Sequence, residues 1–331
     1  MIFMTSFREL GLRNTKKMFE VALKNKFAIP GYNASNLEQM QAIITGCGES
    51  NSPVIVQINL ISLNYANPII LKYLTMGFVE FSKSNGWNLP ISLHLDHGKT
   101  FKQCKSCIDN GFSSVMIDGS HLDYESNIKL TREVVKYAKE LDVSVEAELG
   151  IVERIDKNQE RTPPKFTDPE KVEDFVKRTE CDSLAIAIGT SHGAYKFIVE
   201  KESDIPNLRF DILQEISKRL KNYPIVLHGA SSVLKEHVDI INSNGGSITQ
   251  AFGVPESQLR KASQLGVCKI NIATDSRLLF TAMVRKYLQE HPDHFDPRQY
   301  LGLAREEIIK MIKRKNTEVL GSTNQAKFIL E

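Results

Sequence analysis

Three histidines end short apolar runs of this chain, and a glycine follows each of them. They are His97 in HLDHG, His192 in GTSHG and His228 in VLHG. The neutral imidazole is a frequent ligand of Zn²⁺, and three such ligands leave one position of a tetrahedral ion open to a reacting molecule. If the fold brings the three residues together, they predict a catalytic metal site.

Carboxylates accompany these histidines at comparable positions. Asp96 precedes His97, Asp118 ends the next apolar run, and VSVEAELG carries Glu146 and Glu148. In an extended strand Asp96 and His97 point to opposite faces, but the chain turns where a strand ends, so Asp96 can still border a shared pocket. A carboxylate beside a metal serves as a base or orients a ligand.

Small residues follow the last two apolar runs, as GASS (229–232) and NIAT (271–274). Glycines allow close approach to the backbone, whose N–H groups bind anions, so a phosphorylated substrate is predicted. A metal, a carboxylate and an anion site together suit reversible aldol cleavage, because the metal holds enediolate charge while the carboxylate moves a hydroxyl proton. A Schiff-base aldolase would need a central lysine; only Lys269 qualifies, and the histidines would then have no role.

Eight short β-rich runs position these residues, and a helix-like stretch follows each run. This alternation predicts an α/β fold, a (β/α)8 TIM barrel with extra helices between strands 7 and 8 and at the C-terminus. In such a barrel the carboxyl ends of all strands meet at one face. A doubly wound open sheet is the alternative. The predicted strands are 26–33, 53–59, 91–97, 113–119, 143–150, 183–189, 224–229 and 267–274.

The composition excludes several other classes of protein. The chain has 331 residues, 41% of them hydrophobic, and a formal charge of +2, so neither nucleic acid nor a membrane is an expected partner. Five scattered cysteines suit a reducing compartment and predict a cytoplasmic protein. The pair Cys104 and Cys107 is expected in an ordinary helix. One domain, residues 1–331, is predicted, with a helical extension from about residue 277.

Longer motifs occur in the order HLDHG, GFSSVMIDGS, VSVEAELG, AIAIGTSHGAYKF, VLHGASSV, GVPESQLRKA, VCKINIATDSR and FDPRQYLG. From about residue 6 to residue 325, the chain resembles the class II (zinc-dependent) fructose-bisphosphate aldolases of the longer subtype. The resemblance implies that His97, His192 and His228 hold catalytic Zn²⁺. It also implies that Asp96 is the acid/base on the C4 hydroxyl, and that Asp118 and Glu148 bind a second or displaced metal.

The resemblance further implies how a phosphorylated sugar is held. Arg298, in FDPR, resembles an arginine that reads the far phosphate from a neighbouring subunit of a homodimer or homotetramer. The remaining phosphate contacts, some of which also shape a monovalent cation site, are implied to be Gly193, Lys196, Gly229, Ser231, Asn271 and Thr274.

Three positions depart from the family pattern. Asn59 stands at a substrate-binding position where serine or threonine is usual, and Ala273 replaces an aspartate that helps position the substrate hydroxyls. The mobile glutamate that protonates the enediolate carbon has no exact counterpart in IVERIDKNQERTPP. An ungapped count selects Asp156, whereas a small gap would select Glu153 or Glu160.

The predicted activity is metal-dependent cleavage of a ketose 1,6-bisphosphate, with fructose 1,6-bisphosphate preferred. Tagatose or sedoheptulose bisphosphate is the alternative substrate. A second hypothesis, motivated by Ala273 and the altered loop, is a catalytically impaired barrel that still binds metal and phosphosugar. A zinc hydrolase is a weaker third, because strand one lacks the H-x-H that barrel hydrolases commonly supply.

Overall fold

Eight parallel strands form a closed barrel in the computed structural model, which describes residues 5–152, 165–197, 199–249 and 251–330. The strands are β1 Ile29–Asn33, β2 Val54–Asn59, β3 Ile91–Gly98, β4 Ser114–Ile117, β5 Ser144–Leu149, β6 Ser183–Ile186, β7 Ile225–Leu227 and β8 Val267–Ile272. They follow chain order around the barrel, and β1 pairs with β8 to close it. The predicted (β/α)8 barrel is therefore confirmed, and the open sheet is wrong because an open sheet would leave two edge strands unpaired.

Helices surround the barrel and connect its strands. They are α1 Lys16–Asn25, α2 Leu37–Glu49, α3 Leu60–Ala66, α4 Pro68–Ser84, α5 Phe101–Asp109, α6 Tyr124–Glu140, α7 Val172–Thr179, α8 Phe210–Arg219, α9 Lys235–Ser243, α10 Glu256–Gln264, α11 Thr274–Glu290, α12 Pro297–Arg314 and α13 Ala326–Leu330. A 3₁₀ turn at Glu202–Asp204 and a π-helix at Lys315–Leu320 complete the elements. The extra helices predicted between strands 7 and 8 are α9 and α10, and the predicted C-terminal helices are present.

Local sequence explains where several of these helices begin. Thr100 and Gln103 form a capping box at the start of α5, each satisfying a backbone N–H that the helix leaves unpaired. Helix α12 begins with Pro297, and the Asp296 carboxylate accepts a hydrogen bond from Arg298 N at 3.0 Å. These signals can be read from the sequence, since they depend only on neighbouring residues.

Strand residues are buried on both faces, as expected when helices cover the outside of a parallel barrel. Outward side chains pack against the helices in a large apolar core. The barrel interior, in contrast, contains a polar group formed by His94, Glu146 and Lys269, each at most 1% exposed. Buried polar side chains of this kind must satisfy one another, so the interior of the barrel is set by pairing as well as by packing.

Cys104 and Cys107 lie on α5, as predicted. Burial raises the pKa of both thiols, that of Cys107 to about 12, which disfavours the thiolate form that binds zinc. Within the described ranges, no helix combines the length and the apolar character that crossing a membrane requires.

The C-terminal π-helix is tied to the loop after β7 by buried charges, here called the Lys315 ion group. Lys315 Nζ lies 2.9 Å from Asp275 Oδ2 and 2.8 Å from Glu256 Oε1. Asp275, in the first turn of α11, also accepts hydrogen bonds from the backbone N–H groups of Ser232 at 3.0 Å and Val233 at 2.8 Å. The end of the chain therefore helps to hold the loop that follows β7.

Glu256 should make stability depend on pH in the acid range. Burial raises its pKa, but Arg314 and Lys315 outweigh this effect and bring the pKa from 4.5 to about 2. Because the folded state favours the ionised carboxylate, its contribution is complete above about pH 4.5 and is lost as pH falls towards about 2. We expect Glu256→Gln to lower the free energy of unfolding by about 2 kcal/mol at pH 7, and by progressively less below pH 4.5. Urea unfolding of both proteins between pH 7 and pH 3 measures this difference, and a constant difference would contradict the assignment.

Candidate active site

The carboxyl ends of the strands open onto a pocket of about 810 Å³, a volume suited to a small molecule. His228 and Glu148 are buried beside it, whereas Arg298 does not line it. Asp156, Glu153 and Glu160 lie outside the described residues. The remaining predicted site residues all line the pocket, namely Asn59, Asp96, His97, Asp118, His192, Gly193, Lys196, Gly229, Ser231, Asn271 and Thr274.

The three predicted histidines converge on one point, although they come from distant parts of the chain. His97 Nε2 lies 3.1 Å from His192 Nε2 and 2.9 Å from His228 Nδ1. One ring nitrogen from each residue lies within 4.8 Å of the other two. Tetrahedral zinc with bonds of about 2.0–2.1 Å places two nitrogens about 3.3 Å apart, so small outward movements of the rings would admit the ion.

Hydrogen bonds orient each imidazole through its outer nitrogen. His97 Nδ1 donates to Asp118 Oδ2 at 2.8 Å, His192 Nδ1 to the Val152 carbonyl at 3.1 Å, and His228 Nε2 to Glu146 Oε1 at 2.7 Å. A proton held on the outer nitrogen leaves the inner nitrogen with a lone pair for a metal. The donor set therefore fits a divalent cation both in chemistry and in direction.

The charge of this cluster determines what an incoming metal must displace. Burial lowers the pKa of His97, but Asp96 and Asp118 raise it further, to about 9, whereas burial lowers the pKa of His192 and His228. Without a metal, His97 therefore keeps a proton that donates towards the other two rings. Metal binding has to displace this proton, as is usual for histidine sites.

A break in strand pairing turns His97 into the pocket. Its φ is +55°, and the pairing of β3 with β4 shifts between Leu95 and Gly98, so β3 contains one extra residue. A left-handed backbone at a residue other than glycine costs about 1–2 kcal/mol. The bulge allows both Asp96 and His97 to face the pocket, which a regular strand forbids.

Amide side chains fix Asp96 beside the histidines. Asn33 Nδ2 donates to Asp96 Oδ2 at 2.7 Å, Asn271 Nδ2 lies 3.4 Å from Oδ1, and Gln57 Nε2 in turn donates to Asn33 Oδ1 at 3.0 Å. Burial raises the pKa of Asp96, but His97, His228 and the Asn33 hydrogen bond bring it to about 2. Asp96 is thus an oriented, ionised carboxylate beside the histidines. Asn33 was not among the predicted site residues; its signal in the sequence is its position at the end of the first apolar run.

Beneath the histidines, Glu146 joins the site to the barrel interior. Its Oε1 accepts from His228, and its Oε2 lies 2.7 Å from Lys269 Nζ, which is itself 3.4 Å from His94 Nε2. His94 also bonds Ser114 Oγ at 2.8 Å, so it is a hydrogen-bonded residue of the barrel core. Lys269 is fully buried and is engaged by a carboxylate, which does not favour a Schiff-base role.

We expect Glu146→Gln to weaken both folding and metal binding. The change leaves Lys269 without its counter-charge, which should cost about 3–5 kcal/mol of unfolding free energy. It also removes the acceptor that orients His228, which should lower metal affinity about 10-fold to 100-fold. Urea unfolding and titration of the metal-free protein with Zn²⁺ measure the two effects.

The double variant Glu146→Gln with Lys269→Met separates the effect on stability from the effect on metal affinity. It should recover much of the stability, since no buried charge is left unpaired, but it should not recover the metal affinity. Full recovery of both properties would contradict an orienting role for Glu146.

A second group of donors lies on the other side of His97. A ring nitrogen of His97 and one carboxylate oxygen each from Asp118 and Glu148 lie within 4.8 Å of one another. Burial and the charge of Asp118 raise the pKa of Glu148 to about 8. Lys99, which was not a predicted site residue, places its Nζ 2.5 Å from Asp118 Oδ2.

The side of the pocket where phosphate binding is predicted is built from the loops after β6, β7 and β8. Ser231 Oγ accepts from the backbone N–H groups of Ala273 at 3.1 Å and Thr274 at 3.0 Å, which leaves its own proton available to a ligand. Gly229 has φ +61°, and a Cβ there would lie 2.7 Å from the Ser191 backbone. Only glycine fits at this position, so the backbone itself forms that wall of the pocket.

Two cationic residues also line the pocket. Lys196 is buried, donates to the Ser191 carbonyl at 2.5 Å, and has its pKa lowered to about 7 by burial. Arg277, from the first turn of α11, lines the pocket and was not predicted. Both side chains would attract a phosphate by charge.

Asn59 and Ala273, which depart from the family pattern, and Arg298, predicted to read the far phosphate, differ in where the structure places them. Asn59 lines the pocket, although its side chain accepts from Ser62 N at 2.9 Å and caps α3. Ala273 lines the pocket where the family pattern predicts a carboxylate. Arg298 is 89% exposed and pairs with Asp296 at 2.6 Å, so the structure does not bring it to the pocket of its own chain.

Fold and site together define a metal-binding (β/α)8 enzyme suited to proton transfer beside the carbonyl of an anionic substrate. Residues 13–325 match the family described as fructose-bisphosphate aldolase class-II. The chain therefore belongs to the class II fructose-bisphosphate aldolase family, and the prediction that it is an aldolase is confirmed.

Individual relatives extend this match over nearly the whole chain. The fructose-bisphosphate aldolase of Treponema pallidum (strain Nichols) is 49% identical over 332 residues, covering 98% of this chain and 100% of that protein. The fructose-bisphosphate aldolase of Giardia intestinalis is 43% identical, covering 94% of this chain and 93% of that protein. Among solved structures, the YdjI aldolase from Escherichia coli K12 has a TM-score of 0.74 and 26% identity, covering 95% of this chain and 99% of that one.

Proposed function

We propose that this enzyme catalyses reversible aldol cleavage of a ketose 1,6-bisphosphate, with fructose 1,6-bisphosphate preferred. The products are dihydroxyacetone phosphate and glyceraldehyde 3-phosphate. The observation that carries the proposal is the convergence of His97, His192 and His228 beside the ionised Asp96. The names of the relatives support the choice of substrate.

We propose Zn²⁺ as the cofactor, held by the three inner imidazole nitrogens. Three nitrogen donors with an open fourth position suit zinc better than magnesium or calcium, which prefer oxygen ligands. Bound zinc supplies a Lewis acid that polarises the substrate carbonyl and stabilises negative charge beside it.

Asp96 removes the proton from the C4 hydroxyl. As that O–H bond breaks, C4 becomes an aldehyde carbon, and the electron pair of the C3–C4 bond passes to the ketone half of the substrate. Asn33 and Asn271 hold the two oxygens of Asp96, which keeps one acceptor aimed at the hydroxyl. For the proton that returns to the ketone half we propose Asp156, with Glu153 and Glu160 as alternatives.

We propose that phosphate is bound between the loops after β6, β7 and β8. Lys196 supplies charge. Ser231 supplies a hydroxyl whose oxygen already accepts from the N–H groups of Ala273 and Thr274, so its proton can be donated to phosphate. The other contacts in this proposal, some of which also shape a monovalent cation site, are Gly193, Gly229, Asn271 and Thr274.

A coupled assay with fructose, tagatose and sedoheptulose bisphosphates, run with and without a chelator, tests the substrate and the metal together. We expect fructose 1,6-bisphosphate to give the highest kcat/KM, and exhaustive chelation to abolish turnover until Zn²⁺ is restored. Activity that survives chelation would exclude the metal mechanism. A higher kcat/KM for another sugar would transfer the preference to that sugar.

We also propose that the active enzyme is a homodimer or homotetramer in which Arg298 serves the neighbouring pocket. Arg298 projects into solvent away from its own pocket. In addition, α3 and α4 carry large apolar side chains that are 56% to 77% exposed, namely Ile61, Tyr65, Ile69, Ile70 and Tyr73. Ile61 and Tyr65 also line the pocket, so a second copy on this surface would lie at the pocket entrance.

Mixing two inactive variants tests this arrangement. A His228→Ala subunit would offer an intact Arg298 to the pocket of an Arg298→Ala subunit. Activity should therefore return when the two are refolded together. Mixtures that show no more activity than their components would contradict a shared site.

Ala273 favours a second candidate function, a barrel that binds metal and phosphosugar without turnover. Calorimetric binding of fructose 1,6-bisphosphate to zinc-loaded protein that lacks detectable turnover would support it. We further propose a cytoplasmic location, supported by five cysteines that are all free thiols.

A further inference from the structure

Asp118 has every acceptor position occupied within this chain. Its Oδ1 accepts from Ser120 N at 3.1 Å and Ser120 Oγ at 2.6 Å. Its Oδ2 accepts from His97 Nδ1 at 2.8 Å and Lys99 Nζ at 2.5 Å. A carboxylate offers about four lone-pair sites, so a metal can bind Asp118 only if one of these donors leaves.

Glu148, the neighbouring donor, is in the opposite situation. It is 1% exposed, and among the described residues its Oε1 accepts a long hydrogen bond of 3.3 Å from Val152 N. Its Oε2 has no hydrogen-bond partner in the described part of the chain. A buried oxygen without a partner is costly, and a cation would satisfy it.

Lys99 is the donor of Asp118 that can leave most easily. His97 is fixed by the strand bulge, and Ser120 is two residues from Asp118. The Lys99 side chain is 47% exposed and approaches from the pocket, so its ammonium can move into water without loss of packing. A single positive charge at this position also repels a divalent cation that approaches Asp118 and Glu148.

We propose that Lys99 is an internal competitor for a divalent cation at the Asp118–Glu148 group. Its ammonium occupies the lone pair that the metal needs and so confines metal to the three-histidine group. The inference rests on the proposed function only in assuming that this three-histidine group takes Zn²⁺. His97 belongs to both groups, so excluding metal from the Asp118–Glu148 group leaves His97 available as a ligand in the three-histidine group.

Zinc titration of metal-free protein, followed by calorimetry and by metal analysis after desalting, tests the proposal without measuring turnover. Wild type should bind one Zn²⁺ tightly per subunit. Lys99→Met should bind a second Zn²⁺ with a Kd about 10-fold to 100-fold lower than any second site of wild type, the range seen when groups next to metal ligands are changed. Lys99→Arg, which keeps the charge, should behave as wild type.

A double variant identifies where the second Zn²⁺ binds. Adding Glu148→Gln to Lys99→Met should remove the second Zn²⁺ and leave the first, and circular dichroism establishes that each variant is folded. Equal stoichiometry and equal Kd values for wild type and Lys99→Met would overturn the proposal, as would two equally tight ions in wild type. Wild type that binds no Zn²⁺ would instead overturn the proposed function, and this inference with it.

Discussion

His228→Ala should lose bound metal and turnover together. The change removes one of three converging nitrogens, and a cation held by the remaining two imidazoles has too few protein ligands. Because Lewis-acid stabilisation contributes several kcal/mol, kcat/KM should fall by about 10³-fold or more. Metal analysis after desalting, together with the coupled assay, measures both losses on the same sample.

His237→Ala provides the matched control. His237 is buried in α9 and does not line the pocket, so this variant tests for a general effect of removing a histidine. It should keep both metal and turnover. A His228→Ala protein that stays folded with a full complement of zinc would remove the basis of the metal assignment.

Asp96→Asn should separate chemistry from metal binding. The amide has nearly the shape of the carboxylate but cannot accept the C4 hydroxyl proton, so kcat should fall by about 10²-fold to 10⁴-fold. The three histidines keep their orienting partners, since none of them depends on Asp96 for its outer nitrogen. Zinc content should therefore remain close to that of wild type.

The comparison with Asn33→Ala makes the result specific. Asn33 orients Asp96 but does not itself accept the proton. Asn33→Ala should therefore lower kcat only in part, and its activity should depend on pH in the same way as that of wild type. If Asp96→Asn instead loses its zinc, the carboxylate is part of the metal site, and a different base must be sought.

The barrel and its histidine cluster could be predicted because both follow from patterns along the chain. Apolar runs mark the strands, and the closed topology sends all strand ends to one face. Residues as distant in sequence as His97 and His228 therefore come together at the same face of the barrel. No contact between side chains had to be known in advance.

The details around the cluster depend on contacts that no local pattern encodes. The left-handed backbone of His97 follows from a shift in the pairing of β3 with β4. Asp118 was predicted only as a ligand for a second metal, yet here it also orients His97 and binds Lys99. Asn33 and Lys99 are ordinary polar residues in sequence, and only their three-dimensional neighbours give them a role.

The Lys315 ion group has a consequence for how the enzyme is made. A nascent chain that ends before residue 315 would bury Asp275 without the ammonium that pairs with it, so Asp275 would hold the loop after β7 less firmly. Every strand of the barrel can already have left the ribosome by then. The proposed phosphate site would thus reach its working shape only when synthesis is nearly complete, so unfinished chains released early should lack the catalytic activity of the mature enzyme.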